Sequence, residues 1–211
     1  MLKQIIEQKD IEKLKKVLTD NPSLANEGMP YDEINTEKAH PLHRICDAVF
    51  INKNSDEEGV MIAKVFIEHG AHINGNEMID KKDTPLIAAA SLHADKVAIF
   101  YIDNGANIHH AGTFGGTALH WAAWCGRDMV VKKLLEKNPD INQRCIDFKS
   151  TPLFWAVHGL KNGGPDNRHQ QVECARLLVN AGADKSIPNI DNHTPAMLLE
   201  EGDTELKKIL T

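Results

Sequence analysis

Residues 117–123 of this chain read TALHWAA, and this stretch recurs at a nearly constant interval. Residues 84–90 read TPLIAAA and residues 151–157 read TPLFWAV, so the three leading threonines lie 33 and 34 residues apart. Weaker copies begin at His40 and Thr194, which are 44 residues before the first of these threonines and 43 after the last. A period of this length predicts one supersecondary unit that is copied several times and stacked on itself.

The chemistry of the repeated stretch predicts where helices begin and end. A threonine hydroxyl accepts hydrogen bonds from the first helical turn, and a following proline has no N–H group to leave unpaired, so Thr-Pro predicts a helix start. An apolar stripe with helical spacing comes next in each copy, as at Val130, Val131 and Leu134, and predicts a second helix. Residues that tolerate a left-handed backbone then follow, and we expect them to end these helices: Gly70, Gly105, Asn138 and Gly182.

Through these residues the chain resembles the ankyrin-repeat family, whose signature is T-P-L-H-x-A at a 33-residue period. The resemblance implies an all-α solenoid of stacked helix-turn-helix units with hairpin-like fingers. It also implies that His43 and His120 are structural, with each ring tying its helix to the neighbouring finger. We expect one domain over residues 1–211, made of an N-terminal capping half-repeat at 1–33, repeats at 34–78, 79–111, 112–145 and 146–188, and a C-terminal capping repeat at 189–211.

Two longer intervals between the copies contain extra stretches, at residues 52–59 and 161–169. Both are predicted as long loops between the two helices of their repeats. They are either surface loops without a role, since added loop length costs little free energy, or walls that flank the third and fourth repeats beside a binding face.

Composition and charge exclude several classes of protein. The chain has 211 residues and a formal net charge of −6, and its lysines and arginines form no basic stripe, so we expect no nucleic-acid partner. Charged residues come too early for a secretory signal and interrupt every apolar run, so we expect no membrane association. Four isolated cysteines without a C-x-x-C pair indicate reduced thiols, and we therefore expect a cytoplasmic protein.

The search for catalytic motifs finds no G-x-S-x-G, no H-E-x-x-H and no phosphate-binding loop. The sequence therefore assigns no catalytic residue, no cofactor and no metal ligand. We expect a monomeric, non-enzymatic protein–protein interaction module, an adaptor, scaffold or inhibitor, that binds a protein partner on its concave face. A repeat protein that binds a small ligand or a metal is the alternative, and an enzyme hidden in an unusual repeat is the third possibility.

The resemblance also implies which residues contact the partner. In the family, positions four, three and one before the repeated threonine, and seven and eight after it, line the concave face. Three aromatic residues occupy such positions: Phe114, Trp124 and Phe148. Aromatic side chains are enriched at binding hot spots, so we expect the centre of the binding face at residues 112–145, the fourth repeat when the capping half-repeat is counted as the first. The other hypothesis for Trp124 is packing on Trp121 or on a neighbouring helix. The predicted partner-binding residues are Lys81, Asp83, Ser91, Leu92, Thr113, Phe114, Trp124, Cys125, Phe148 and His158.

Overall fold

The computed structural model describes residues 2–75, 82–162 and 168–211. These residues form two compact units. The first unit runs to Asn107 without Lys82, and the second consists of Lys82 together with Ile108–Thr211. Both units are built from paired helices, which confirms the all-α expectation. In the described ranges no helix is both long and apolar enough to cross a membrane.

The first unit packs its helices around a core of leucine, isoleucine and alanine. Its helices are α1 (Leu2–Gln8), α2 (Ile11–Asp20), α3 (Pro41–Phe50), α4 (Asp56–Glu68), α5 (Pro85–Ser91) and α6 (Asp95–Asp103), and its two short antiparallel strands are β1 (Met29–Pro30) and β2 (Lys38–Ala39). Helix α3 packs against α4 and α5, and α4 packs against α6. Leu42 and Leu86 are fully buried, and the Tyr101 hydroxyl donates a hydrogen bond to the Leu42 carbonyl at 2.8 Å.

The second unit repeats the same arrangement. Its helices are α7 (Ala118–Trp124), α8 (Asp128–Leu135), α9 (Pro152–Asn162), α10 (Arg168–Asn180) and α11 (Thr204–Leu210), with 3-10 turns at Thr113–Gly115 and Pro195–Leu198. Helix α7 packs against α8 and α9, and α10 packs against α8, α9 and α11. Leu119 and Leu153, which share one slot of the repeat, are both buried at the interface of α7 and α9.

The predicted helix starts and ends are confirmed. The Thr84 hydroxyl accepts a hydrogen bond from the Ile87 N–H at 3.4 Å, which caps α5. At the start of α3 His40 takes the place of threonine, and its Nδ1 accepts from the Leu42 N–H at 3.2 Å. The residues expected to end the second helices all have left-handed φ angles: Gly70 (85°), Gly105 (84°), Asn138 (51°) and Gly182 (96°).

The prediction of a long loop at residues 52–59 is wrong, because α4 already begins at Asp56. Ser55 and Glu58 form a capping box. The Ser55 hydroxyl accepts from the Glu58 N–H at 3.2 Å, and the Glu58 carboxylate accepts from the Ser55 N–H at 2.7 Å. Acidic residues in the first turn also suit the positive end of the helix dipole. The extra residues therefore lengthen the helix, and α4 has 13 residues where α6 has 9.

The prediction of a loop over residues 161–169 is also wrong at both of its ends, which are helical. Helix α9 extends to Asn162 and α10 begins at Arg168, while residues 163–167 lie outside the described ranges. Lys161 and Arg168, near the ends of the lengthened helices, both form ion pairs with the buried carboxylate of Asp203 just before α11. The added helical turns thus fasten the last helix of the chain.

Candidate protein-binding site

Three turns, which we call the fingers, position the site in the second unit. They span residues 112–116, 145–150 and 189–193, and each is closed by a backbone N–H···O bond of 2.8 or 2.9 Å: Gly112 to Gly116, Cys145 to Ser150 and Asn189 to His193. Neighbouring fingers are joined as well. The Asp147 N–H donates to the Phe114 carbonyl at 3.1 Å, and the Ile190 N–H donates to the Phe148 carbonyl at 2.9 Å. Phe114, Phe148 and Ile190 therefore follow one another across adjacent fingers.

A cavity of about 440 Å³ lies between the fingers and the helices that follow them. We call it the aromatic cavity. Its apolar lining consists of Phe114, Trp121, Trp124, Phe148, Phe154, Trp155, Ile190 and Leu198, and its polar lining of Ser150, His158, Asn189, Asp191 and His193. The chain has three tryptophans, and all three line this cavity.

Trp155 lies at the centre of the rings around the cavity. Its side chain is 5% exposed, and its ring centroid lies 5.2 Å from that of Trp121, 5.9 Å from that of Trp124 and 5.3 Å from that of His120. All three pairs are close to perpendicular, an arrangement that aromatic quadrupoles favour. Trp155 is thus a packing residue that forms the floor of the aromatic cavity.

Trp124 forms a wall of the same cavity. Its half-buried ring lies 4.9 Å from the His158 ring, and burial lowers the pKa of His158 below its ordinary value. The Trp124 backbone is fixed from two sides. Gln171 donates a hydrogen bond to its carbonyl at 2.9 Å, and a Cβ at Gly159 would lie 2.3 Å from the same oxygen. Only glycine at position 159 lets α9 approach α7 this closely.

Phe114 enters the cavity from a strained backbone. Its φ angle is 59°, in the left-handed region that bulky residues seldom adopt and that costs about 1–2 kcal/mol. In this conformation its ring stacks on Trp121 at 6.1 Å and lies 5.3 Å from the Phe148 ring. Phe114 and Phe148 remain 42% and 45% exposed, so both keep surface that a second molecule can cover.

Trp121 adds a second destabilising feature. Its indole N–H is buried and has no hydrogen-bond partner among the residues that the structure describes. A buried donor without an acceptor costs about 1–3 kcal/mol. The strained Phe114 backbone and the unsatisfied Trp121 donor thus lie side by side at the aromatic cavity, and both features oppose folding.

His120 has the structural role that the family resemblance implies. Its Nδ1 accepts a hydrogen bond from the Thr117 N–H at 3.1 Å, and its Nε2 donates to the Ser150 carbonyl at 3.2 Å. Burial lowers the pKa of His120 to about 4, so the ring is neutral at pH 7. The ring ties the start of α7 to the neighbouring finger.

The structure brings four of the ten predicted binding residues together around the aromatic cavity: Phe114, Trp124, Phe148 and His158. Thr113 and Cys125 belong to the same unit but do not line the cavity. Trp124 packs on Trp155 of the neighbouring helix α9, as the packing hypothesis for this residue allows. Asp83, Ser91 and Leu92 belong to the first unit, and all three are partly buried. Lys81 lies outside the described residues. A binding role for these ten residues stays a prediction.

Sequence reasoning missed the part of the site that comes from the last finger. Ile190, Asp191 and His193 line the cavity and lie four, three and one residues before Thr194. These are the three offsets of the family rule, and the offset of three is the one that identifies Phe114 and Phe148 in the earlier repeats. The signal was present, since the same rule applied to the capping repeat finds all three.

Metal-binding side chains do not converge in the described part of the chain. Among those residues, no group of three or more histidine, cysteine, aspartate or glutamate side chains is arranged to hold a metal ion. All four cysteines are thiols rather than disulfides.

Comparison with known proteins gives consistent matches. The family model "Ankyrin repeats (3 copies)" matches residues 45–145 and 93–189. A crystal structure described as "EF0377 an Ankyrin Repeat Protein" is 31% identical, with a TM-score of 0.72 over 99% of this chain and 95% of that one.

Two sequence relatives are more distant. The "Ankyrin repeat protein OPG189" of variola virus is 28% identical over 144 residues, which is 65% of this chain and 24% of that protein. A Rickettsia felis protein named for ankyrin repeats is 27% identical over 164 residues, which is 77% of this chain and 70% of that protein. The chain thus spans about a quarter of the length of the first curated relatives that it matches.

Proposed function

This chain belongs to the ankyrin-repeat family, and we propose that it is a non-enzymatic module that anchors a protein partner in the aromatic cavity. Repeats of this family generally mediate protein–protein interaction. The observation that carries the proposal is the gathering of three tryptophans and two exposed phenylalanines around one cavity of about 440 Å³. Large aromatic side chains in a partly desolvated pocket are the usual hot spots of protein interfaces.

The proposed face is the concave one, with its centre at the fourth and fifth predicted repeats. Phe114, Trp124 and Phe148 occupy positions that line the concave face in the family, and all three line the cavity. An adaptor, a scaffold and an inhibitor would use such a face equally well. A monomeric, cytoplasmic protein is part of the proposal, and four reduced cysteines support the reducing compartment.

Local hydrogen bonding supports a role without catalysis. A serine nucleophile needs its hydroxyl within hydrogen-bond reach of a base. The Ser150 hydroxyl instead donates to the Phe148 carbonyl at 3.3 Å, and His120 contacts the Ser150 main-chain carbonyl. The Ser150 hydroxyl and the His120 ring are therefore both used to hold the finger.

Capture of the partner on the immobilised protein tests the proposal. Lysate of the native organism is passed over the wild type, Trp124→Ala and Met129→Ala in parallel, and the bound proteins are quantified by mass spectrometry. Met129 is the matched control, because it is a large apolar residue of the same unit, is 60% exposed on α8 and does not line the cavity. The partner should be retained by the wild type and by Met129→Ala and lost from Trp124→Ala.

The captured partner is then purified and titrated against the same variants. Truncation of a hot-spot aromatic costs about 2 kcal/mol or more, which is roughly a 30-fold loss of affinity. Full affinity for Trp124→Ala, or loss of the helical circular dichroism of that variant, would mean that Trp124 is a packing residue and that the partner binds elsewhere.

A small apolar ligand is the second candidate, and the size of the cavity favours it. Ligand pockets commonly measure about 300–1,000 Å³ and are lined mainly by apolar side chains. Native mass spectrometry of protein purified from its own organism distinguishes the two candidates, since a resident ligand would add a fixed mass that Trp124→Ala loses.

A further inference from the structure

One charged residue stands out in the lining of the aromatic cavity. Asp191 is its only carboxylate among the described lining residues, and these include no lysine or arginine. The Asp191 side chain accepts one long hydrogen bond, from the Asn189 amide at 3.4 Å, and forms no ion pair within the described ranges. The described lining therefore contributes one carboxylate and neither a lysine nor an arginine to pair with it.

A partner that covers the cavity removes water from Asp191. If the occupant were purely apolar, the carboxylate would be desolvated without a counter-charge, which is costly. A cationic occupant would satisfy it, and the ring quadrupoles of the surrounding aromatic side chains would attract the same charge. Burial lowers the pKa of His158, another lining residue, so this ring adds little competing positive charge at neutral pH.

We infer that the occupant of the aromatic cavity is an arginine side chain presented by the protein partner. The inference rests on the proposed function and names the chemistry that this site selects. A guanidinium stacks on aromatic faces, is weakly hydrated and can bind a carboxylate such as that of Asp191 through two parallel hydrogen bonds. Its aliphatic stem suits the apolar part of the lining at Ile190 and Leu198. Lysine matches this site less well, because its ammonium is a compact and strongly hydrated charge.

Three short peptides test the inference on the full chain. They share the sequence Gly-Ser-Xaa-Ser-Gly with blocked ends, and Xaa is arginine, lysine or citrulline. Citrulline has nearly the shape of arginine but no charge. Binding is followed by tryptophan fluorescence and by the indole N–H signals in NMR spectra, which report on this site because all three tryptophans line the cavity.

The arginine peptide should bind in the millimolar range, and the citrulline peptide should bind about tenfold more weakly, since it loses both the cation–π contact and the ion pair. The lysine peptide should fall between them. Equal binding of the arginine and citrulline peptides would overturn the inference, and so would a preference for lysine. An absence of any spectral change with the arginine peptide at about 10 mM would also overturn it.

A pair of isosteric variants separates local contact from long-range charge. Asp191→Asn should reduce the preference for arginine over citrulline several-fold, whereas Glu201→Gln, which removes one exposed charge of the same unit outside the cavity, should leave it unchanged. Equal effects of the two variants would contradict a direct contact with Asp191. These outcomes are independent of partner capture, so the arginine inference can fail while a Trp124-dependent protein partner remains.

Discussion

Replacing Phe114 by alanine and by glycine separates the backbone strain at this residue from the contacts of its ring. Both substitutions remove the ring contacts with Trp121 and Phe148, each of which is worth about 0.5–1.5 kcal/mol. They differ in the backbone. Alanine keeps a Cβ atom at a φ of 59°, whereas glycine adopts this angle without steric cost.

The relief of strain fixes the size of the expected difference. The left-handed conformation costs a residue with a Cβ about 1–2 kcal/mol, and the greater freedom of glycine in the unfolded chain offsets part of this gain. Phe114→Gly should therefore be more stable than Phe114→Ala by about 1 kcal/mol. Both variants should lose binding of the partner by about tenfold or more, because both lack the exposed ring.

Urea titrations followed by the circular dichroism of the helices measure the difference. Tryptophan fluorescence is unsuitable here, since the ring of Trp121 contacts the mutated side chain. Met129 provides the control, because it lies within α8. There Met129→Gly should be less stable than Met129→Ala by about 0.5–1 kcal/mol, the reverse order.

The order of the two variants decides the outcome. If Phe114→Gly were no more stable than Phe114→Ala, the left-handed strain at this residue would be refuted. If either variant bound the partner as tightly as the wild type, the ring would have no place in the interface.

Three further predictions concern pH and packing. Burial lowers the pKa of His40 and of His120 to about 4, so the folded protein favours the neutral rings. Their contribution to the free energy of unfolding is complete above pH 6.5 and should be lost between pH 6.5 and 4, by up to about 1.4 kcal/mol per pH unit for each ring. Urea titrations at a series of pH values measure this loss. Gly159→Ala should destabilise by about 1–3 kcal/mol in the same assay, although alanine normally favours helices, whereas Gly202→Ala, whose Cβ meets nothing within 4 Å, should be nearly neutral. Burial raises the pKa of Asp203, but its bonds to Lys161, the Glu200 N–H and Arg168 outweigh this effect and lower the pKa to about 2. The stability that these bonds contribute is therefore present above pH 3.8 and lost as the pH falls towards 2. Asp203→Asn should cost about 1–2 kcal/mol at pH 7, and an unchanged urea midpoint would contradict the ion-pair role.

The sequence predicts those parts of the fold that depend on local chemistry. A threonine hydroxyl can cap the helix that follows it, and glycine supplies a left-handed φ angle without cost, so residue type predicts the roles of Thr84 and Gly105. The repeat period predicts the packing of the helices, because equivalent helices of successive repeats lie against each other.

Repeat length alone misassigned the extra residues of the second and fifth repeats. A longer interval predicts a longer loop, yet Ser55 and Glu58 form a capping box, and this pair in the sequence is itself typical of a helix start. Local capping chemistry outweighed the average length of the repeat unit.

The candidate site was harder to predict because it depends on backbone angles and ring directions. Nothing in the residue type of Phe114 signals a left-handed φ angle, as glycine would, so no sequence pattern predicts its strain. The close contact at Gly159 likewise depends on how near α9 lies to the Trp124 carbonyl. The position of a residue in the repeat predicts whether it lies on the concave face, but it does not show that four such residues line one cavity.

Burial divides the tryptophans of the cavity into different roles that their identity does not reveal. Trp155 is 5% exposed and contacts three aromatic neighbours, so its free energy of burial is already realised in the free protein. Trp124 is only half-buried, and in the proposed complex the partner would cover part of its remaining apolar surface. Substitution of Trp155 should therefore mainly reduce stability, whereas substitution of Trp124 should mainly reduce binding. Trp155 packs against Trp124 and Trp121, and Trp121 in turn contacts Phe114, so the proposed binding surface is held by packing already present in the free protein, which would reduce the entropy lost on association.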